Sequence, residues 1–415
     1  MRKPRRRLPF PWRLFFGSVL VFTLLATLNF VLLERFQGGN EARFLWHILR
    51  SYSASETELY LPMRSWPLQV GLEPLTGSAP RRFDLPLPFL LLLFPLMLFP
   101  SDGWAAAFAL LLLEVTVPLT VVLAVRLAEW PLSWKWQVLL IFLAVLWPYS
   151  FIGLREVAPF WLFLALLHAG LLALRAQQDE LAGALLALLT LRWEATAGAL
   201  LFLTFYAIRR RRWRVLAGAG MLLFLLYNIA FLLRPAWFLP FLRAVTFNLR
   251  QGFGVRLADW LQQIFPAWPV SPALIVSLGI VILLFVEWRL ASLEERPLAF
   301  YWTLNLSLVL TPWLGLRFQL PDLTMLFPSL ILIAALSWKR WPRYGLFLPF
   351  LLLLLAFFVP WALWQQALRH PQEVRWQQAL YLFPSLFALS GLYWFRWSLF
   401  RPRTWLDRIR AGDVI

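Results

Sequence analysis

Apolar runs of 13 to 25 residues, each closed by a short cluster of arginine, proline or acidic residues, recur along the whole chain. The first covers 14–33. Later ones cover 104–128, 137–149, 160–174 and 215–233, then 273–287, 298–313, 323–338, 345–364 and 378–395. A helix needs about 20 largely apolar residues to cross a hydrocarbon layer of about 30 Å, so these runs predict transmembrane helices. Two stretches depart from the pattern. Residues 85–100 are apolar but short, and they carry Pro86, Pro88 and Pro95, which predicts a re-entrant or interfacial helix. After a tight turn expected at Gly153-Leu-Arg155-Glu156, the run up to the Arg209–Arg212 cluster is interrupted by Arg192-Trp-Glu194. That predicts two short helices meeting at a tip.

The fold expected is an all-α polytopic membrane protein with about twelve transmembrane helices in a single unit spanning 1–415. A long first outer loop with the interfacial helix covers 34–102, a second outer loop covers 234–270, and a basic tail covers 396–415. No repeat of fixed period is visible.

Composition strengthens this picture. The chain is 61% hydrophobic and 14% charged, with 25 Trp and 37 Phe, far more apolar side chain than a soluble interior accommodates. The basic start, Met1-Arg-Lys-Pro-Arg-Arg-Arg7, leads into a run too long for a cleaved leader and without a small-residue cleavage site, so a retained anchor is expected. Lysine and arginine gather on the side of that start, which predicts both termini in the cytoplasm. In a soluble protein a net charge of +18 would suggest nucleic acid; bordering membrane spans, it is read as topology and contact with anionic headgroups. The absence of cysteine excludes disulfides and thiolate chemistry, and His47, His168 and His370 are too scattered to predict a metal cluster.

Candidate chemistry lies in the charges that reach the predicted outer boundary. Between Glu34 and Asp84 the chain collects six arginines and six carboxylates. There Asn40-Glu41 follows Gly38-Gly39, glycines that permit an unusual turn close to the membrane, and Glu56 and Glu58 follow. Further on come Arg155-Glu156, Arg192-Trp-Glu194, and Arg317 with Asp322. Carboxylates at such a boundary can act as a general base, and arginines can hold a phosphate bidentately. The same pairs also suit polar caps on helical hairpins. No phosphate-binding glycine loop, nucleophile elbow or zinc-helix motif is present. Glu114 falls within a span, where it needs a partner, and a hydrogen bond to a neighbouring helix is expected; His168 is expected to pack in the core.

The order of these elements resembles the GT-C class of integral-membrane glycosyltransferases, and within it glycosyltransferase family 87, the polyprenyl-phosphate-mannose-dependent mannosyltransferases of bacteria. The residues carrying the likeness are Gly38-Gly-Asn-Glu41 with Trp46, Glu58-Leu-Tyr60-Leu-Pro62, and Phe83-Asp-Leu-Pro86-Leu-Pro88. Downstream they are Leu174-Arg175, Leu181-Ala-Gly183, Leu189-Thr-Leu-Arg192-Trp-Glu194, Arg210-Arg-Arg-Trp213, and Thr311-Pro312-Trp313 with Arg317-Phe318. The likeness spans roughly residues 10 to 340, through degenerate and largely apolar motifs.

It implies inverting transfer of a mannose-like sugar from a polyprenyl-phosphate donor to a glycan, glycolipid or protein acceptor, at the outer face of the bacterial cytoplasmic membrane. No nucleic acid takes part, the donor lipid is the one implied cofactor-like molecule, and metal dependence is left open. In the family an acidic residue of the first outer loop deprotonates the acceptor. The family usually has Asp directly after the glycines; here Asn40 stands there and Glu41 follows, so the implied base is Glu41, or else Glu56 or Glu58. Arg192 matches the family's central Lys and, with Arg155 and Arg317, would bind the donor phosphate. Glu156, Glu194 and Asp322 would support it. Two other classes remain open on the sequence: a transporter or flippase of lipid-linked material using Glu114, and an inactive relative acting as a scaffold.

Overall fold

The computed structural model describes residues 12–53, 60, 83–251, 272–370 except 295, 315 and 317, and 373–400. Its elements are helices, taken here in chain order: α1 (Trp12–Arg35), α2 (Asn40–Ser53), α3 (Leu87–Leu93, continued by a 3-10 segment Phe94–Leu98), α4 (Asp102–Leu127), α5 (Trp134–Leu146), α6 (Pro148–Glu156), α7 (Phe160–Arg175) and α8 (Asp179–Ala187). After a 3-10 segment Leu188–Arg192 come α9 (Trp193–Arg209), α10 (Trp213–Leu233), α11 (Phe238–Gln251), α12 (Pro272–Leu293) and α13 (Pro297–Leu310). A 3-10 segment Leu320–Leu326 then leads into α14 (Phe327–Arg340), followed by α15 (Phe347–Arg369) and α16 (Val374–Phe400). Among the described residues six helical stretches are long and apolar enough to cross a membrane, and up to eight are if each of two bent pairs, α1–α2 and α5–α6, makes one span.

Helix starts follow their local chemistry. Ser101 accepts from the Trp104 N–H ahead of α4, with Asp102 in its first turn, and Pro148 and Pro297 open α6 and α13, where a missing N–H costs nothing. In the interior, α14 is buried from Phe327 to Ser337, and Phe327 lies between Trp147 and Trp161. Three of the buried indoles find acceptors: Trp147 donates to the Ala356 carbonyl, Trp161 to Ser150 and Trp302 to the Leu392 carbonyl. At these three positions large aromatic surface is buried without an orphaned N–H.

Polar contacts gather at two ends. At one, Arg43 of α2 pairs with Glu34 of α1 and approaches Asp102 of α4. At the other, Arg212 pairs with Asp179, Lys339 with Glu129, and Arg175, Arg210 and Arg296 donate to the carbonyls of Leu127, Glu294 and Leu399. These are called the Glu41 end and the Arg212 end below.

The stretch Asp179–Arg209 has the length and composition of one span, yet it doubles back. A straight helix of its 31 residues would be about 46 Å long. Instead Arg212 reaches Asp179 at 2.6 Å, and a Cβ on Gly183 would lie 2.0 Å from the Val215 carbonyl oxygen. The reversal falls at Leu188–Arg192, so the two short helices meeting at a tip are present. The apolar segment 87–98 also begins and ends on one side: Phe83 packs on Phe44 of α2, and Asp102 beyond it faces Arg43 and His47.

Three expectations change. Residues 153–156 are the last turn of α6 rather than a tight turn; the reversal comes at Val157, with φ 58°, just before Pro159. Helix α6 extends that far because Pro148 starts a new helix bent 67° from α5. The segment 34–102, expected as a loop, contains the amphipathic α2, and the segment 234–270 contains α11, whose Phe241 meets Tyr60. Glu114 accepts a hydrogen bond from Asn29 of α1 at 3.1 Å, and His168 is fully buried between the Leu164 carbonyl and the Tyr301 hydroxyl, both as expected.

Candidate functional site

The site is built on the corner between α1 and α2. Gln37 and Gly39 take positive φ angles of 50° and 78°, and the helix axes turn by 100°. The Gly39 N–H donates to the Arg155 carbonyl at 2.7 Å, and a Cβ on Gly38 would lie 2.8 Å from that same oxygen. The corner is thereby docked onto the last turn of α6. It directs α2 across the bundle, with Ala42, Leu45, Trp46, Ile48 and Leu49 buried beneath it.

In the first turn of α2, Glu41 is 1% exposed and accepts a 2.8 Å hydrogen bond from Arg192 Nη1. A carboxylate there is favoured by the positive end of the helix dipole as well as by the guanidinium. Arg192 stands where the 3-10 segment gives way to α9, in a non-helical conformation. Thr196 donates to the carbonyls of Leu189 and Arg192, which stabilises that break in the helical ladder. The Arg192 guanidinium sits over the Phe160 ring at 4.9 Å, and its Nη2 lies 3.7 Å from Asp322 Oδ1. The other Asp322 oxygen accepts the Gln319 N–H at 2.7 Å, in a capping box at the start of Leu320–Leu326. Three charged groups from distant parts of the chain thus share one buried place: two carboxylates flank one guanidinium.

Beside them, Asn40 donates to Glu156 Oε2 at 2.9 Å. Asn40 is therefore a link between α2 and α6, and Glu156 is a third buried carboxylate, next to that group. Glu194 is buried one residue pair along from Arg192. Arg155 follows a different course. Its Nη2 donates to the Phe36 carbonyl at 3.4 Å, and it lines an apolar groove of about 410 Å³ with Pro148, Phe151, Trp361, Trp364 and Leu368. Glu56, Glu58 and Arg317 lie outside the described residues. Tyr60, within the resemblance, donates to the Leu85 carbonyl at 2.8 Å, and burial raises its hydroxyl well above the usual tyrosine range, so it remains a neutral donor.

Sequence reasoning passed over Phe160, Gln319 and Thr196. Gln319-Leu-Pro-Asp322 closes a capping box, yet neither residue is the usual type at its position, so the sequence does not signal it. Nor does it signal the cation–π partner of Arg192. Among the described residues no three His, Asp or Glu side chains are grouped with metal-ligand spacing. Comparison of the chain with protein-family models, with curated proteins and with solved structures returns no match.

Proposed function

We propose that the chain is a GT-C-like membrane glycosyltransferase, which moves a sugar from a polyprenyl-phosphate donor to an acceptor hydroxyl at the Glu41 end. The observation that carries this reading is the contact of Glu41 with Arg192, 151 residues apart in sequence, at the boundary of an apolar helical bundle. A candidate base and a candidate phosphate ligand are there within one hydrogen bond of each other.

In the proposed reaction the acceptor oxygen attacks the anomeric carbon from the face opposite the phosphate, and the bond from that carbon to the phosphate oxygen breaks. Configuration inverts, the acceptor proton passes to Glu41, and polyprenyl phosphate leaves. The leaving group goes from diester to monoester and gains negative charge, so a cation beside it stabilises the transition state more than the ground state. Arg192 supplies that cation.

The resting ion pair adds a control. A carboxylate bonded to a guanidinium is a weak base. A donor phosphate that draws Arg192 toward itself frees Glu41 at the moment the substrate is in place, while Asp322 keeps Arg192 oriented. The groove holding Arg155 between aromatic and aliphatic walls suits the first part of a prenyl chain. About twelve passes, both termini in the cytoplasm and the Glu41 end facing out from a bacterial cytoplasmic membrane complete the proposal. It is supported by the alternation of polar contacts between the two ends.

The donor class is testable directly. Full-length protein in proteoliposomes, given radiolabelled mannosyl-phosphoryl-polyprenol and a crude membrane glycolipid fraction as acceptor, should transfer label, whereas a nucleotide-linked mannose should give none. Transfer from the nucleotide sugar alone would overturn the assignment of the donor.

A further inference from the structure

Two cavities open at the Arg212 end, remote from the Glu41 site, and they adjoin at Arg296 and Pro297. One, of about 570 Å³, has Arg175, Arg210, Arg212 and Arg296 on its walls over a floor that includes the packed rings of Tyr206 and Phe300, 4.6 Å apart. The other, of about 550 Å³, has Lys339 and Arg340 with Leu298 and Leu336. Six cations line the two cavities against two carboxylates, Glu294 and Glu129.

These cations come from the ends of α7, α9 and α14 and from the turns before α10 and α13, segments far apart in the chain. Isolated arginines bordering spans would each reach toward headgroups on its own. Here they face shared cavities, and several are held in place. Arg212 is fixed by Asp179, the Leu174 carbonyl and Gln177; Arg296 is fixed by the Leu399 carbonyl and stands 3.5 Å from Glu294. Arg175 and Arg210 each direct one N–H to a main-chain carbonyl, and a guanidinium carries five. Each cavity therefore offers positive charge at a membrane boundary above an apolar floor.

We propose that this trough binds an anionic phospholipid carrying two phosphate groups, one phosphate in each cavity with Arg296 between them and the acyl chains along the apolar flanks. The two-part shape selects for a paired headgroup, the charge excess for an anion, and the apolar floor for a lipid over a soluble phosphate. This inference does not depend on the proposed transferase reaction.

The test uses the full chain in detergent micelles. Native mass spectrometry and thermal unfolding would be followed with added cardiolipin, phosphatidylglycerol, phosphatidylcholine or inorganic pyrophosphate. Cardiolipin should bind and stabilise at least about tenfold more tightly than phosphatidylglycerol, with phosphatidylcholine and pyrophosphate inert. Replacing Arg210→Gln together with Arg296→Gln should weaken cardiolipin about thirty-fold, the effect of two lost headgroup contacts. Arg343→Gln, exposed at the same end but lining neither cavity, should change nothing. The exposed pair Lys339→Gln with Arg340→Gln keeps the test decisive if the first variant fails to fold. It should reduce cardiolipin to the affinity of phosphatidylglycerol. Equal affinity for the two lipids in the wild type, undiminished binding by the variants, or equal binding of pyrophosphate would each overturn the proposal.

Discussion

Arg192 is the side chain on which the buried charges depend. With Glu41, Arg192 and Asp322 at 1%, 5% and 3% exposure, one guanidinium offsets the burial of two carboxylates. Replacing it by Met leaves both acids in a water-poor place without their cation. Such a loss typically costs about 3–5 kcal/mol. The melting temperature of Arg192→Met in detergent should fall by several degrees, and Arg192→Lys should recover only part, because a single ammonium cannot reach both acids from that backbone. A melting temperature unchanged by Arg192→Met would mean the triad contributes nothing. At this scale the sequence was informative about identity and silent about partnership. Glu41, Arg192 and Asp322 each stood out as charges beside apolar runs, but nothing local joins positions 151 apart. Asn40 was read against the family's aspartate, whereas its amide is occupied by Glu156, a contact set by how α1 and α2 meet α6.

The corner between α1 and α2 shows how a short element governs the site. Gly39, at φ 78°, has a hypothetical Cβ 3.0 Å from Ala106, and its N–H bonds Arg155. Gly39→Ala should therefore cost about 1–3 kcal/mol and loosen the hold on Glu41. Gly220→Ala, within α10 with open space around it, should instead stabilise by up to about 1 kcal/mol through helix propensity. Thermal unfolding of the two variants should move in opposite directions; equal shifts would show that the corner is not strained. Elements set by hydrophobic length were legible: the candidate spans at 272–293, 320–340 and 347–369, the segment at 87–98 and the doubled-back α8–α9 pair all follow from run length, prolines and basic flanks. Helix α2 was hidden by its own charges, although Ala42, Leu45, Trp46 and Leu49 repeat at helical spacing. The 67° bend at Pro148 was likewise visible only as a proline.

Across the whole molecule, two polar ends separated by an apolar interior give the chain its sense. A chain with no cysteine permits a clean mapping of them. Single cysteines at His47 and His370 should be labelled by an impermeant maleimide from the same side of a sealed membrane, and cysteines at Lys135 and Arg214 only from the other. Labelling of His47→Cys and Lys135→Cys from one side would break the two-ended arrangement. Hydrophobic periodicity made this architecture legible, because the bilayer fixes how long an apolar run must be. It could not show which boundary charges meet, since that depends on helix bends and on the crossing of α2 over its neighbours. For the proposed role of the buried Glu41 as base in a sugar transfer from lipid phosphate, the decisive measurement is the turnover of Glu41→Gln beside its melting temperature. Transfer should fall by about 10²–10⁴-fold in a protein that still folds, whereas full turnover in that variant would rule out Glu41 as the base.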